Sequence, residues 1–281
     1  MVGSMAFERM GQQPLDYQHV NYGASKLLFR GPRRRLDGGY VACLGGTETY
    51  GKFIERPFPD LLSRGLALPC VNLGWANAGV DVFLMDEGLL ALAHRARAVV
   101  LQIPSAMNLS NPYYRVHPRR NDRFVQASPR LYRLFPEVDF TEFHFTRHLM
   151  LRLSDIDPAR FAILRVELQE VWVARMQHLL DRIGRPVVLL WFAGHPPGNG
   201  EGSADLCDDP AYVSRAMLQA VGSRAAYVVE VVASPGAKAL GTHGMRFAPL
   251  EEIAAAALPG PLAHSEVARA LTPALAPLIA E

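Results

Sequence analysis

The sequence predicts an α/β protein, a three-layer sandwich around a doubly wound, mainly parallel five-stranded sheet. Three observations carry this. Five apolar runs of strand length recur along the 281 residues. None shows the polar alternation of a sheet with one wet face, so both faces should be covered. Longer segments with helical periodicity separate them, and the resulting β-α-β-α order is that of an open parallel sheet with helices on both sides.

The first run is "YVACLG" (40–45), reached through an N-terminal arm (1–35) and a basic entry loop, "GPRRRLDGGY". "FPDLLSRGL" (58–66) reads as a helix, and "CVNLG" (70–74) as the second strand. "VDVFLMDEGLLALAHRA" (80–96) follows as a helix, then "AVVLQI" (98–103) as the third strand. Residues 104–156 are rich in Arg, Asn, Pro, Tyr and Phe and have no clean period. They read as an insertion at the carboxyl end of strand three, where open parallel sheets bind ligands. "DPARFAILRVELQEVWVARMQHLLDRIG" (157–184) is the longest helix, with Asp157 as N-cap, Pro158 in the first turn and Gly184 as the stop. "PVVLLWFAG" (186–194) and "AAYVVEVV" (225–232) complete the sheet. Between them "DPAYVSRAMLQAVG" (209–222) repeats the Asp-Pro opening, and "HSEVARALTPALAPLIA" (264–280) closes the chain as a helix interrupted by Pro273 and Pro277. No repeat or low-complexity linker divides the sequence, so residues 1–281 are expected to form one domain.

Composition narrows the functional classes. With 49% hydrophobic and 20% charged residues the chain can bury a sizeable core, and a formal charge of +2 gives no case for nucleic acid or a membrane surface as partner. Cys43 and Cys70 lie in strand runs and Cys207 stands apart, which suits buried free thiols in a reducing compartment rather than a disulfide framework or a zinc site. The N-terminus lacks a basic-then-apolar signal, and no apolar stretch reaches the roughly 18 residues that span a bilayer. The expectation is a cytoplasmic protein.

The densest signal is "YVACLGGTETYGKF" (40–53), and it reads in two ways. Gly46-x4-Gly51-Lys52 has the spacing of a phosphate-cradling loop. That chemistry needs a hydroxyl after the Lys to ligate Mg²⁺, where Phe53 stands, and a strand ending in a carboxylate, which "VVLLWFAG" does not supply. Alternatively, Gly45-Gly46-Thr47, directly after a strand run, has the place of the nucleophile turn in a known family of hydrolases.

On the second reading the chain resembles the SGNH/GDSL hydrolase superfamily, whose short blocks follow successive strands. "LGGTETYG" matches the nucleophile block with Thr47 at the Ser position, and bacterial SGNH-like proteins with a Gly-Gly-Ser/Thr-Glu-Thr-Tyr-Gly-Lys-Phe block look similar. "VNLGWANAGVD" supplies Gly74 as an oxyanion donor, and "PSAMNLSN" supplies Asn108 as another. "LPGPLAHSEVARAL" places His264 ahead of the last helix as the general base, with Pro261 where the family has Asp. Glu48, Asp81 and Glu266 are candidate replacements for that carboxylate. The resemblance implies a flavodoxin-like strand order and acyl transfer. Thr47 would be the nucleophile and His264 the base, and the Thr47 N–H, Gly74 and Asn108 would form the oxyanion hole, with no cofactor.

Beside these blocks, "NPYYRVHPRRNDRF" (111–124) concentrates Arg115, His117, Arg119, Arg120 and Arg123 with Tyr113 and Tyr114. Arginine forks hold carboxylate, sulfate or phosphate, and tyrosines give flat amphipathic surfaces. With Glu48 and Lys52, residues Tyr114, His117, Arg119, Arg120 and Arg123 are the expected substrate contacts; a solvated loop with internal ion pairs is the alternative. His144 and His148 have the i, i+4 spacing of a helical metal pair but lack a following Glu, so no metal is expected. "GHPPGNGEG" (194–202) reads as a plain loop or a lid, and His243 in "GTHGM" is a rival to His264. The expected function is an esterase or deacylase acting on a polar ester, carbohydrate-linked esters included, whose substrate carries an anionic group. The alternatives are a decayed hydrolase that binds an anionic glycan or metabolite, and a transferase whose Gly-rich turn holds a sulfate- or phosphate-bearing donor.

Overall fold

The computed structural model describes residues 14–198 and 208–280. Seven strands are present among them: β1 (Val41–Gly45), β2 (Cys70–Gly74), β3 (Ala98–Gln102), β4 (Tyr114–His117), β5 (Arg120–Ala127), β6 (Val187–Ala193) and β7 (Tyr227–Val232). Five form one parallel sheet in the order β2-β1-β3-β6-β7, the predicted doubly wound order, while β4 and β5 make an antiparallel hairpin inside the insertion.

Four of the five unalternating strand runs have the predicted cause; the fifth, β7, lies at the sheet edge and leaves Tyr227, Val228 and Val232 exposed. Ala42 and Leu44 of β1 face one core and Val41 and Cys43 the other, as the two-residue period of a strand requires. The larger core is closed by α3 (Val80–Leu84), α4 (Glu87–Arg95) and α7 (Pro158–Ile183). The second is closed by α2 (Phe58–Gly65) and α11 (Pro261–Ile279), to which Val267, Leu271 and Leu275 contribute at helical spacing. Cys43 and Cys70 are buried free thiols, and burial raises the pKa of both.

Helix boundaries follow local chemistry. Asp157 caps α7 by accepting from Ala159 and Arg160 N–H, and Gly184 ends it at φ 58°. The expected helix 80–96 is two helices, because the Asp86 side chain accepts from Leu89 N–H and starts a second one. The expected helix from Asp209 begins only at α8 (Arg215–Gly222), capped by Ser214; Tyr212, at φ 62°, cannot belong to a right-handed helix. Pro273 and Pro277 do not interrupt α11. The smaller helices are α1 (Thr47–Tyr50), α5 (Pro129–Leu134), α6 (Thr146–Ile156), α9 (Pro235–Ala239) and α10 (Glu252–Ala256).

Two polar anchors fasten the periphery to this frame. In the N-terminal arm, Arg30 is buried, and its guanidinium donates to the carbonyls of Tyr50, Gly51, Ile54 (2.6 Å) and Glu55 (2.9 Å). In the insertion, fully buried Asn121 accepts from Gly79 N–H (2.9 Å) and Val82 N–H (3.1 Å), so the β4–β5 hairpin caps α3. Among the described residues no helix is long and apolar enough to cross a membrane.

Candidate functional site

A small pocket of about 50 Å³ opens beyond the carboxyl ends of β1 and β3, the place where parallel sheets present ligand-binding loops. Gly46, Thr47, Glu48, Asn77, Gln102, Ser105 and Asn108 are among its lining residues. Two sequence-predicted blocks therefore meet there, the turn after β1 and the loop after β3.

The turn is built around Gln102, which is 4% exposed at the end of β3. Its Oε1 accepts from Gly46 N–H (3.1 Å), Thr49 N–H (3.1 Å) and Thr49 Oγ1 (2.5 Å). Its Nε2 donates to Glu48 Oε2 (2.7 Å). This close packing explains Gly45, since a Cβ there would collide with Thr49 Oγ1 and the Gln102 side chain. Loss of hydration raises the Glu48 pKa above the ordinary glutamate range; the Gln102 bond opposes that rise, and the nearby Asp209 charge adds to it.

Thr47 Oγ1 donates to Asn77 Oδ1 (3.1 Å) and accepts from Asn77 N–H (3.0 Å). Asn77 Nδ2 in turn donates to Asp122 Oδ2 (3.2 Å). Asn108 is 9% exposed, and its Oδ1 accepts from Thr146 Oγ1 (2.7 Å). No described residue accepts from its Nδ2, which leaves an amide donor for a ligand. Ser105 Oγ donates to Asp209 Oδ1, and Arg147 donates to Asp209 Oδ2 (2.6 Å). Trp172, from α7, donates to the Pro104 carbonyl (3.0 Å) and fixes the start of this loop.

Of the expected site residues, Thr47, Glu48 and Asn108 line the pocket. Gly74 sits at the end of β2, and its N–H donates to Asn72 Oδ1 (3.0 Å). His264 is a core residue, 1% exposed, stacked on Phe58 (ring centroids 6.2 Å apart) and edge-on to Phe192 (5.2 Å). Its Nδ1 accepts from Phe58 N–H (3.2 Å), and burial lowers its pKa to about 3, with the Arg30 charge adding to the shift. The ring is therefore neutral with its proton on Nε2, the reverse of the tautomer that a triad base needs.

The remaining expected contacts lie elsewhere. Lys52 pairs with Glu251 (3.6 Å) and lies over the Phe53 ring (4.6 Å). Tyr114 is fully buried and donates to the Met107 carbonyl (2.7 Å). His117 Nδ1 accepts from the N–H groups of Arg119 and Arg120 (both 3.2 Å), and the Arg119 carbonyl accepts from Trp75 Nε1 (2.6 Å). Arg123 stacks on Phe145 (4.1 Å). His144 precedes α6 while His148 lies within it, so the pair does not share a helix face. Part of the 194–202 turn, and Cys207, lie outside the described residues. Nor is the turn an open anion cradle. The N–H groups of Gly46 and Thr49 donate to Gln102, those of Gly51 and Lys52 to the Thr47 carbonyl, and Gly51, at φ 74°, closes α1 after one turn.

Sequence reasoning missed Gln102, Asn77, Ser105, Asp122 and Asp209. The available signal was Gln102 itself, one polar residue at the end of an apolar strand run, which must find buried partners.

A family model described as Domain of unknown function (DUF6473) matches residues 5–279. No curated protein matches the sequence. Among solved structures the chain is similar to the lipase Lip_vut3 from a goat rumen metagenome, at 11% identity and a TM-score of 0.44, over 84% of this chain and 97% of that one.

Proposed function

The chain belongs to the DUF6473 family, and from the site itself we propose a hydrolase of small polar esters. The observation that carries this reading is the convergence of a hydroxyl (Thr47), a carboxyl (Glu48) and a donor with no acceptor among the described residues (Asn108 Nδ2) in one pocket outside the sheet's carboxyl edge. These are the three parts acyl transfer needs: a nucleophile, a proton acceptor and an oxyanion donor.

In this scheme Glu48, not His264, handles the proton. Thr47 Oγ1 attacks the ester carbonyl as its proton passes from the Asn77 hydrogen bond to the Glu48 carboxylate. The tetrahedral oxyanion accepts from Asn108 Nδ2. The alcohol leaves with the Glu48 proton; water then attacks the acyl-threonine as Glu48 accepts its proton, and Glu48 returns that proton to the departing Thr47 Oγ1, releasing the acid. A carboxyl with a raised pKa suits both halves of this cycle, because acid–base catalysis works best near the ambient pH. Gln102 positions it.

The test is turnover of an acetyl-ester panel by the wild type and by Glu48→Gln, Thr47→Val and His264→Asn. Activity lost in the first two variants and kept in the third supports the reading. Activity lost only in His264→Asn overturns it. The second reading is a binding protein without turnover, favoured by the doubly engaged Thr47 hydroxyl and by the His264 tautomer. It predicts saturable ligand binding at this pocket with every ester left intact.

A further inference from the structure

A second cavity, of about 460 Å³, adjoins the pocket and shares Asn77, Asn108 and Asp209 with it. We propose that this cavity is the subsite for a neutral sugar ring, so that the ester cleaved is one borne by a saccharide. The inference rests on the hydrolase reading for its place in the reaction, but the binding site stands on its own observations.

The cavity has two unlike walls. Asn77, Asn108, Asp122 and the Arg147–Asp209 ion pair supply polar groups, and Met107, Phe145 and Leu151 supply apolar surface. A pyranose has the matching form, with hydroxyls around its edge and C–H groups on its faces. The polar wall has hydrogen-bonding capacity to spare. Asn108 lines both cavities and is nine-tenths buried, and no described residue accepts from its Nδ2. Asp122 Oδ2 accepts one bond, from Asn77, whereas a carboxylate accepts about four. An amide donor beside a carboxylate acceptor suits vicinal hydroxyls, each of which donates and accepts.

The apolar wall is held in place. Arg123 covers one face of Phe145 at 4.1 Å, which orients a ring that is otherwise 42% exposed. Aromatic faces of this kind pack against C–H surfaces. A long acyl chain fits the cavity poorly, because it would strip water from Asp122 and Asp209 without replacing their hydrogen bonds. The volume lies within the range of small-ligand sites.

The probes are methyl α-glucopyranoside, methyl α-galactopyranoside, hexanoate and ethanolamine. Binding is read by saturation-transfer NMR and calorimetry on the full chain. Saturable binding of at least one glycoside is expected, weakened about tenfold in Asp122→Asn and about fivefold in Phe145→Ala, and unchanged in Leu250→Ser at a fully exposed position. Phe145 is exposed enough that its variant will fold, so loss of the protein cannot mask the result. Preferential binding of hexanoate or ethanolamine overturns the proposal. So does the absence of glycoside binding at tens of millimolar, or binding indifferent to both cavity variants. The two readings fail separately. Turnover of p-nitrophenyl acetate without glycoside binding removes the subsite alone, and glycoside binding without ester turnover removes the hydrolase alone.

Discussion

Glu48, at the start of α1, and His264, at the start of α11, invite comparison. Both are titratable, and in both loss of hydration is the first cause of a shift toward the neutral form. Their surroundings differ. Glu48 lines a pocket beside a hydroxyl and is oriented by Gln102. His264 lies one layer behind, stacked on Phe58, and meets Phe192, a residue that also lines the pocket. A perturbed pKa therefore marks burial in both places, but only one of them combines burial with an opening to a ligand.

The comparison breaks most sharply on activity. Glu48→Gln removes the proton acceptor while keeping a similar shape, and an ester assay should show a loss of about 10²–10⁴-fold. His264→Asn keeps an acceptor near the Nδ1 position and should stay within about threefold of wild type. An equal loss in both variants would return the histidine to the reaction. Next in size is Asn108→Ala, expected to cost about 10²–10³ in kcat as a missing oxyanion donor. A loss confined to KM would make Asn108 a binding group only.

The same pair separates on stability. The His264 pKa falls to about 3 in the folded state from an ordinary 6.5. The unfolded chain therefore takes up a proton first as pH drops, and stability present above pH 6.5 is lost towards pH 3. Chemical denaturation should show that His264→Asn flattens this acid loss, by roughly 2–5 kcal/mol at full extent. Glu48 has the opposite sign. Its folded pKa is raised, so its ionisation opposes folding as pH rises through the glutamate range, and Glu48→Gln should gain stability at neutral pH while matching wild type in acid. In activity, ionised Glu48 is the working form, so the acid limb of kcat should lie above the usual glutamate range.

The smallest effects test the hairpin. Arg119→Ala and Arg120→Ala should change turnover of a neutral ester by less than about twofold, since neither residue lines the pocket and exposed charges contribute little. A tenfold loss would restore them as substrate contacts.

The sheet was legible because its strands are short, apolar on both faces and separated by periodic helices. Thr47 and Asn108 were legible by position, each just beyond a strand run. The arginine cluster drew attention through charge density, yet density says nothing about direction. His117 turns inward on its own hairpin and Arg123 lies on Phe145. The groups that shape the pocket were hidden for the opposite reason. Gln102, Asn77 and Asp122 are single polar residues whose partners are distant in sequence, and only the assembled fold brings them together.

Arg30 carries a consequence for how this chain can be shortened. Its four carbonyl partners run from Tyr50, the last residue of the Thr47–Tyr50 turn, to Glu55. A chain beginning at residue 36 would keep every strand of the sheet and still leave those carbonyls facing empty space. The N-terminal arm is thus a keystone for the segment behind the pocket, and trimming it as an appendage would dismantle the turn from behind.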